Sequence, residues 1–313
     1  MHILHKIALA LDLSLFDVLN IVRSAPYRYK VYPIKKRTSN NMRIIAQPSR
    51  ELKTIQRWLI NEELSYLPIH DSVTAYQKGA SIKNNAIQHV SNNYLLKLDF
   101  SDFFPSIKPI HFLRHLSSND PTRYKVDEIE IINKLLFWYN KREKDMQLSI
   151  GAPSSPFISN TIMHEFDSLV SDICKLYEVT YTRYADDLTF SCNEKNILFD
   201  LKKQIINALQ LLSYPRITIN DRKTVFTSKK HHRAVTGLIL SSQNKLSIGR
   251  ERKRLIRSMI HHFTKNILDD EQVYKLKGLL AFAKDIEPTF LKSMKDKYSD
   301  EVINSIFSYN PDN

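Results

Sequence analysis

Residues 179–192 read VTYTRYADDLTFSC. Two runs rich in β-branched and aromatic residues flank Ala185, Asp186 and Asp187, a pattern that predicts a β-hairpin with paired carboxylates at its turn. Such a hairpin is not stable by itself, so the chain must supply further strands to pack beside it. The carboxylates have two readings. Asp tolerates the backbone angles of tight turns, and paired carboxylates also suit a divalent cation.

The stretch LLKLDFSDFFPSI (95–107) supplies a third carboxylate. Its apolar residues predict a buried strand ending at Asp99, with Asp102 three residues later. Packed beside the hairpin, that strand would bring Asp99 to Asp186 and Asp187. Three unpaired carboxylates repel one another, and at least one then holds its proton more tightly. Two Mg²⁺ ions resolve the repulsion and, with substrate phosphates, form the arrangement for in-line nucleotidyl transfer. Between the two aspartate motifs lies SIGAPSSPFISN (149–160). Its glycine, prolines and small hydroxylated residues predict a backbone that approaches a substrate closely. A plain loop with an N-cap at Ser154 or Ser155 accounts for it as well.

Charge points toward nucleic acid. Lys and Arg number 46 against 33 Asp and Glu, a formal net charge of +13, which predicts a polyanionic partner, nucleic acid ahead of an acidic membrane surface. Cys174 and Cys192 form no C-x-x-C pair or disulfide framework, and no apolar run reaches the length of a transmembrane helix. Both features predict a cytoplasmic protein without a membrane part. The opening MHILHKIALALDLSLF reads as one amphipathic helix and not as a signal peptide. His111 and His115 have the i, i+4 spacing of a zinc pair, but no Glu or Cys completes the set.

KVYPIKKRTSNNMRIIAQPS (30–49) reads as two extended segments joined by a basic loop. Apolar spacing predicts helices over 51–64, 126–140, 156–178 and 200–212. RAVTGLIL (233–240) with KLSIG (245–249) predicts a hairpin, and from Arg250 onward the chain reads as helical and basic. No repeat or linker divides it. Helices and strands in this irregular order predict an α+β fold and not a doubly wound sheet.

LDFSDFFPSI, GAPSSP and YTRYADDLTFS match, in order, motifs A, B and C of reverse transcriptases. MRIIAQPSRELKTIQRWL resembles their fingers segment and NDRKT (220–224) their motif D. The similarity is closest to bacterial retron enzymes, whose N-A-x-x-H and V-T-G hallmarks match Asn85-Ala86-Ile87-Gln88-His89 and Val235-Thr236-Gly237.

The resemblance implies a right-hand polymerase. Residues 1–25 would form an N-terminal helical extension, 26–240 the fingers and the palm whose sheet carries the aspartates, and 241–313 a helical, basic thumb. Asp99, Asp186 and Asp187, with the Phe100 carbonyl, would hold two Mg²⁺ ions, or Mn²⁺ in their place. Lys36 and Arg43 match the positions that clamp the incoming triphosphate, and Phe104 the aromatic that crowds a ribose 2′-hydroxyl. Gly151 is the motif B glycine, and Lys223 the lysine that protonates departing pyrophosphate. Ile150 stands where the family usually has Gln, which bears on fidelity. RNA selection would fall to Asn85, His89, Val235, Thr236 and Gly237, and to Arg252, Lys253 and Arg254 on a basic helix.

The implied reaction is RNA-directed DNA synthesis from deoxynucleoside triphosphates. Its template is a cognate structured non-coding RNA, its primer an RNA 2′-hydroxyl, and its product branched, RNA-linked DNA within an anti-phage system. The implied partners are that RNA and its DNA copy, an effector protein and a host RNase H. Two other readings compete. A reverse transcriptase of another bacterial lineage would lack N-A-x-x-H and V-T-G, and a non-catalytic RNA-binding scaffold would have no need of Asp99, Asp186 and Asp187.

Overall fold

The computed structural model describes residues 1–35 and 42–311. Two helices open the chain, α1 (Ile3–Leu11) and α2 (Leu15–Ser24), where the sequence predicts one. The break is local. Asp12 turns left-handed at φ 51°, and the Ser14 side chain caps α2 by accepting from the Asp17 N–H. β1 (Tyr29–Lys35) and β2 (Met42–Pro48) pair antiparallel, with Tyr29 opposite Pro48 and Lys35 opposite Met42. Ser49 caps α3 (Arg50–Trp58), which continues into a π-helical turn at Leu59–Glu63.

Next come α4 (Ile82–Ile87), β3 (Tyr94–Asp99), α5 (Phe103–Ser106), α6 (Pro109–Asn119) and α7 (Val126–Leu136). The helix expected to reach residue 140 stops at Leu136. The aromatic run that follows suits a strand better, and it opens a hairpin of β4 (Trp138–Asn140) and β5 (Asp145–Gln147). The expected helix over 156–178 is broken at Met163 into α8 (Ser155–Ile162) and α9 (His164–Leu176). Then follow β6 (Thr180–Tyr184), β7 (Asp187–Cys192), α10 (Ile197–Leu211) and β8 (Val225–Ser228). β9 (Ala234–Val235), β10 (Leu238–Leu240) and β11 (Leu246–Ser247) precede α11 (Arg250–Phe263), α12 (Asp270–Ile286), α13 (Pro288–Tyr298) and α14 (Asp300–Ser308).

The chain forms two compact units. Residues 1–78, 97–190 and 196–225 make the first, and 79–96, 191–195 and 226–313 the second. The largest sheet has the strand order β6-β7-β3-β8. Leu95, Leu96, Leu98 and Asp99 of β3 are buried, as is β7 from Leu188 to Cys192, so these strands are covered on both faces, as their apolar runs predict. In the first unit Phe100 stacks on Phe103 at 5.6 Å and meets Phe166 edge-on at 5.6 Å. Each such buried ring contributes about 1.5–3 kcal/mol, and this block fixes the chain just past Asp99.

The second unit packs α11, α12, α13 and α14 with α4 and the sheet β11-β10-β9 around Val235, Leu238, Ile256, Ile260 and Leu280. The apolar stripe of α11 is buried at Ile256, Met259 and Ile260, while Leu255 faces solvent. No described helix is long and apolar enough to cross a membrane.

Candidate active site

β3 delivers Asp99 at its end, 6% exposed. Backbone hydrogen bonds fasten its neighbourhood on two sides. The Phe100 N–H donates to the Asp186 carbonyl at 3.0 Å, which ties the β6–β7 turn to β3. The Asn220 N–H donates to the Asp99 carbonyl at 2.7 Å, and the Ser101 N–H to the Thr218 carbonyl at 2.9 Å. This second tie brings in the loop that carries Lys223, whose ammonium lies 2.7 and 2.8 Å from the two carboxylate oxygens of Asp99.

The turn itself holds a surprise. Its left-handed residue is not an aspartate but Ala185, at φ 58°. A two-residue hairpin loop of this kind takes Gly at that position, and a side chain there costs about 1–2 kcal/mol. The surroundings must hold the turn in place.

Electrostatics favour a cation. Burial, and after it the charge of Asp99, raises the Asp186 carboxyl above the usual carboxylate range. Burial, and then Asp186, push Asp187 up to about 6. Asp99 and Asp186 line a cleft of about 1370 Å³, with Asp187 adjoining, within the fields of Asp186, Lys97 and Asp99. Asp186 and Asp187 are hard oxygen donors whose ionisation the fold resists, which is the condition a divalent cation relieves. Asp99 is meanwhile engaged by Lys223, and no three His, Cys, Asp or Glu side chains among the described residues converge as a ready metal cage.

Arg43, Tyr76, Phe104 and Ile150 also line the cleft; Lys36 lies outside the described residues. Both Phe103 and Phe104 line the cleft; Phe103 is the more deeply buried, and Phe104 stands edge-on to it at 5.3 Å. At Gly151 the fold itself sets a demand. At φ 128°, a Cβ there would sit 3.1 Å from both the Ala46 carbonyl oxygen and Ile45 Cγ2. What approaches the motif B glycine closely is therefore the protein's own β2, and the Ala46 N–H donates to the Ile150 carbonyl at 3.0 Å. Ser154 occupies the N-cap position of α8 without a side-chain cap bond. Its hydroxyl and that of Ser155 are buried without a partner among the described residues.

Residues 34–240 match the family described as reverse transcriptase (RNA-dependent DNA polymerase). The chain is 44% identical over 300 residues to the retron Ec83 reverse transcriptase of Escherichia coli, covering 94% of each chain. It is 34% identical over 296 residues to the retron Ec73 reverse transcriptase of the same species, covering 90% of each. The chain belongs to the retron reverse transcriptases. It is an RNA-directed DNA polymerase.

In this reverse transcriptase the N-A-x-x-H and V-T-G segments meet inside the second unit. Asn85 Nδ2 lies 3.5 Å from Thr236 Oγ1, and the Thr236 hydroxyl donates to the Ile82 carbonyl at 3.1 Å. Asn85, His89 and Val235 are 1%, 0% and 0% exposed. Burial pushes His89 down to about 3, so its ring is neutral, and it lies 2.7 Å from the Ser191 hydroxyl. Side chains buried this deeply offer RNA no surface. The expectation that these three side chains touch RNA gives way to one in which they pack inside the unit, beside the exposed Gly237. Arg252 donates to the Gly237 carbonyl at 2.8 Å, Lys253 is paired with Glu287, and Arg254 is exposed.

The motifs did not reveal several residues of the reverse transcriptase cleft. Tyr76 is left-handed at φ 60° and lines the cleft, as do Lys108, Arg142 and Arg216. Their cations are scattered along the sequence and converge only through the fold. Arg183 did carry a signal, an arginine inside a strand-like run beside the acidic pair, and it is fully buried.

Proposed function

We propose that this enzyme copies a cognate structured RNA into DNA that stays joined to it, starting from an RNA 2′-hydroxyl and using two Mg²⁺ ions. The observation that carries the reading is that Asp99 and Asp186 line one open cleft together with Arg43, Phe104 and Lys223. Asp99, Asp186 and Asp187, with the Phe100 carbonyl, would hold the cations, which when bound supply positive charge at the attacking hydroxyl and the leaving pyrophosphate. Arg43 suits the triphosphate through its forked donors, with Lys36 as a second cation. Phe104 leaves no room for a ribose 2′-hydroxyl. Lys223, once it leaves Asp99, has a proton to give to pyrophosphate.

Residues 26–240 are read as fingers and palm, 241–313 as thumb and 1–25 as an N-terminal extension. The names of the relatives support the retron membership; the branched product, an anti-phage role, an effector protein and a host RNase H are our reading of what that membership brings. Primer-free synthesis tests it. Given deoxynucleotides, Mg²⁺ and the structured RNA encoded beside its gene, the enzyme should make DNA that only a debranching enzyme frees from RNA. Extension of an annealed primer without primer-free synthesis would overturn the retron priming alone. Wild-type synthesis by Asp186→Asn and Asp187→Asn variants would overturn the site.

A further inference from the structure

Arg183 and Asp167 are both fully buried and meet fork to fork. Arg183 Nε lies 2.8 Å from Asp167 Oδ1, and Nη2 lies 2.6 Å from Oδ2. The Tyr181 hydroxyl donates to the same Oδ1 at 2.8 Å. The remaining nitrogen, Nη1, donates to Asn160 Oδ1 at 3.1 Å and to the Ala185 carbonyl at 3.2 Å. Ala185 is the left-handed residue of the aspartate turn, and Asp186 follows it directly. Asn160 in turn donates from Nδ2 to the Ala75 carbonyl at 3.0 Å, one residue before Tyr76 of the cleft wall. A single guanidinium thus joins α8, α9 and the turn.

Stability alone does not explain such a pair. Apolar residues of similar volume often replace a buried ion pair at no cost, because desolvation offsets the attraction. What an apolar replacement cannot supply is a donor aimed at the Ala185 carbonyl. We infer that Arg183, held by Asp167, is a positioning residue for the Ala185-Asp186-Asp187 turn and sets the rate of the chemical step without touching substrate. The inference rests on the proposed role of Asp186 and Asp187.

The test uses the full-length Arg183→Met/Asp167→Leu and Arg183→Lys variants, with Asp187→Asn beside them. The apolar double variant takes away the partners of the Tyr181 hydroxyl, Asn160 Oδ1 and the Ala185 carbonyl, so it should melt below the wild type, yet stay folded at the assay temperature and bind RNA normally. Its KM for deoxynucleotides should change by less than about threefold while kcat falls about 10- to 100-fold, the size expected of a misplaced group. Mn²⁺ binding to the substrate-free protein, followed by electron paramagnetic resonance, should weaken in parallel. Arg183→Lys keeps the charge opposite Asp167 but loses the fork, and it should show the same loss; if the double variant does not fold, Arg183→Lys decides on the same readouts. Folded variants with wild-type kcat and Mn²⁺ affinity would overturn the inference. Should Asp187→Asn remain active, the site assignment itself fails; should it be inactive while both Arg183 changes are silent, only the positioning role falls.

Discussion

Asp187 is a carboxyl that the fold holds back from ionising. Its value rises from 3.8 to about 6 through burial and then the charge of Asp186. The folded value lies above the unfolded one, so protonation favours the folded state. That contribution is complete below pH 3.8 and is lost as pH rises through about 6. Without metal, Asp187→Asn should therefore stabilise the protein at pH 8 by about 1–2 kcal/mol, and the gain should vanish by about pH 4. Thermal melts in EDTA at several pH values measure this, and an equal gain at all pH values would contradict it. On the proposed reading Phe104 acts by bulk instead. Phe104→Ala should raise ribonucleotide use about tenfold or more, because the clash is removed and no hydrogen bond is lost. The ratio of kcat/KM for deoxy- and ribonucleotides reads the effect directly.

Among the elements, the β6–β7 hairpin was legible from its alternation and paired acids, and β3 from its apolar run. The breaks at Asp12 and Met163 were not, because helical periodicity continues across them while the backbone turns. The aspartate turn was legible for the wrong residue, since Ala185 carries no mark of the left-handed angle it adopts. Motif B was legible as a site for glycine, but the backbone packed against it is β2, far away in sequence, where the Ala46 N–H donates to the Ile150 carbonyl. Gly151→Ala should therefore lower stability by more than about 1 kcal/mol, since an added methyl group meets both a positive φ and the Ala46 carbonyl. Denaturant melts would register the loss. A neutral change would show that β2 gives way freely.

Over the whole molecule, the excess of cations was legible from composition, but its distribution was not. Arg252, Lys253 and Arg254 read alike in sequence. In the fold Arg252 is bonded to the Gly237 carbonyl and Lys253 is neutralised by Glu287, which leaves Arg254 as the exposed member of the three. Arg254→Ala should reduce the slope of log affinity against log salt for RNA by about 0.7–0.9, one phosphate contact, while Lys253→Ala should change it less. Fluorescence titrations at a series of KCl concentrations separate the two. Slopes equal to that of the wild type in both variants would place the RNA elsewhere. Asn85 and His89 make the same point from within, because a motif names its residues without saying whether they face water.

The ammonium of Lys223 at 2.7 Å from Asp99 amounts to a stopper already seated in the socket. On the proposed reading a cation that settles on Asp99 has first to lift it out, so the firmness of the resting enzyme and its uptake of a divalent ion are opposite arms of one balance. With Lys223→Met the balance should tip both ways at once, toward a lower melting temperature in EDTA and a larger rise when Mg²⁺ is added.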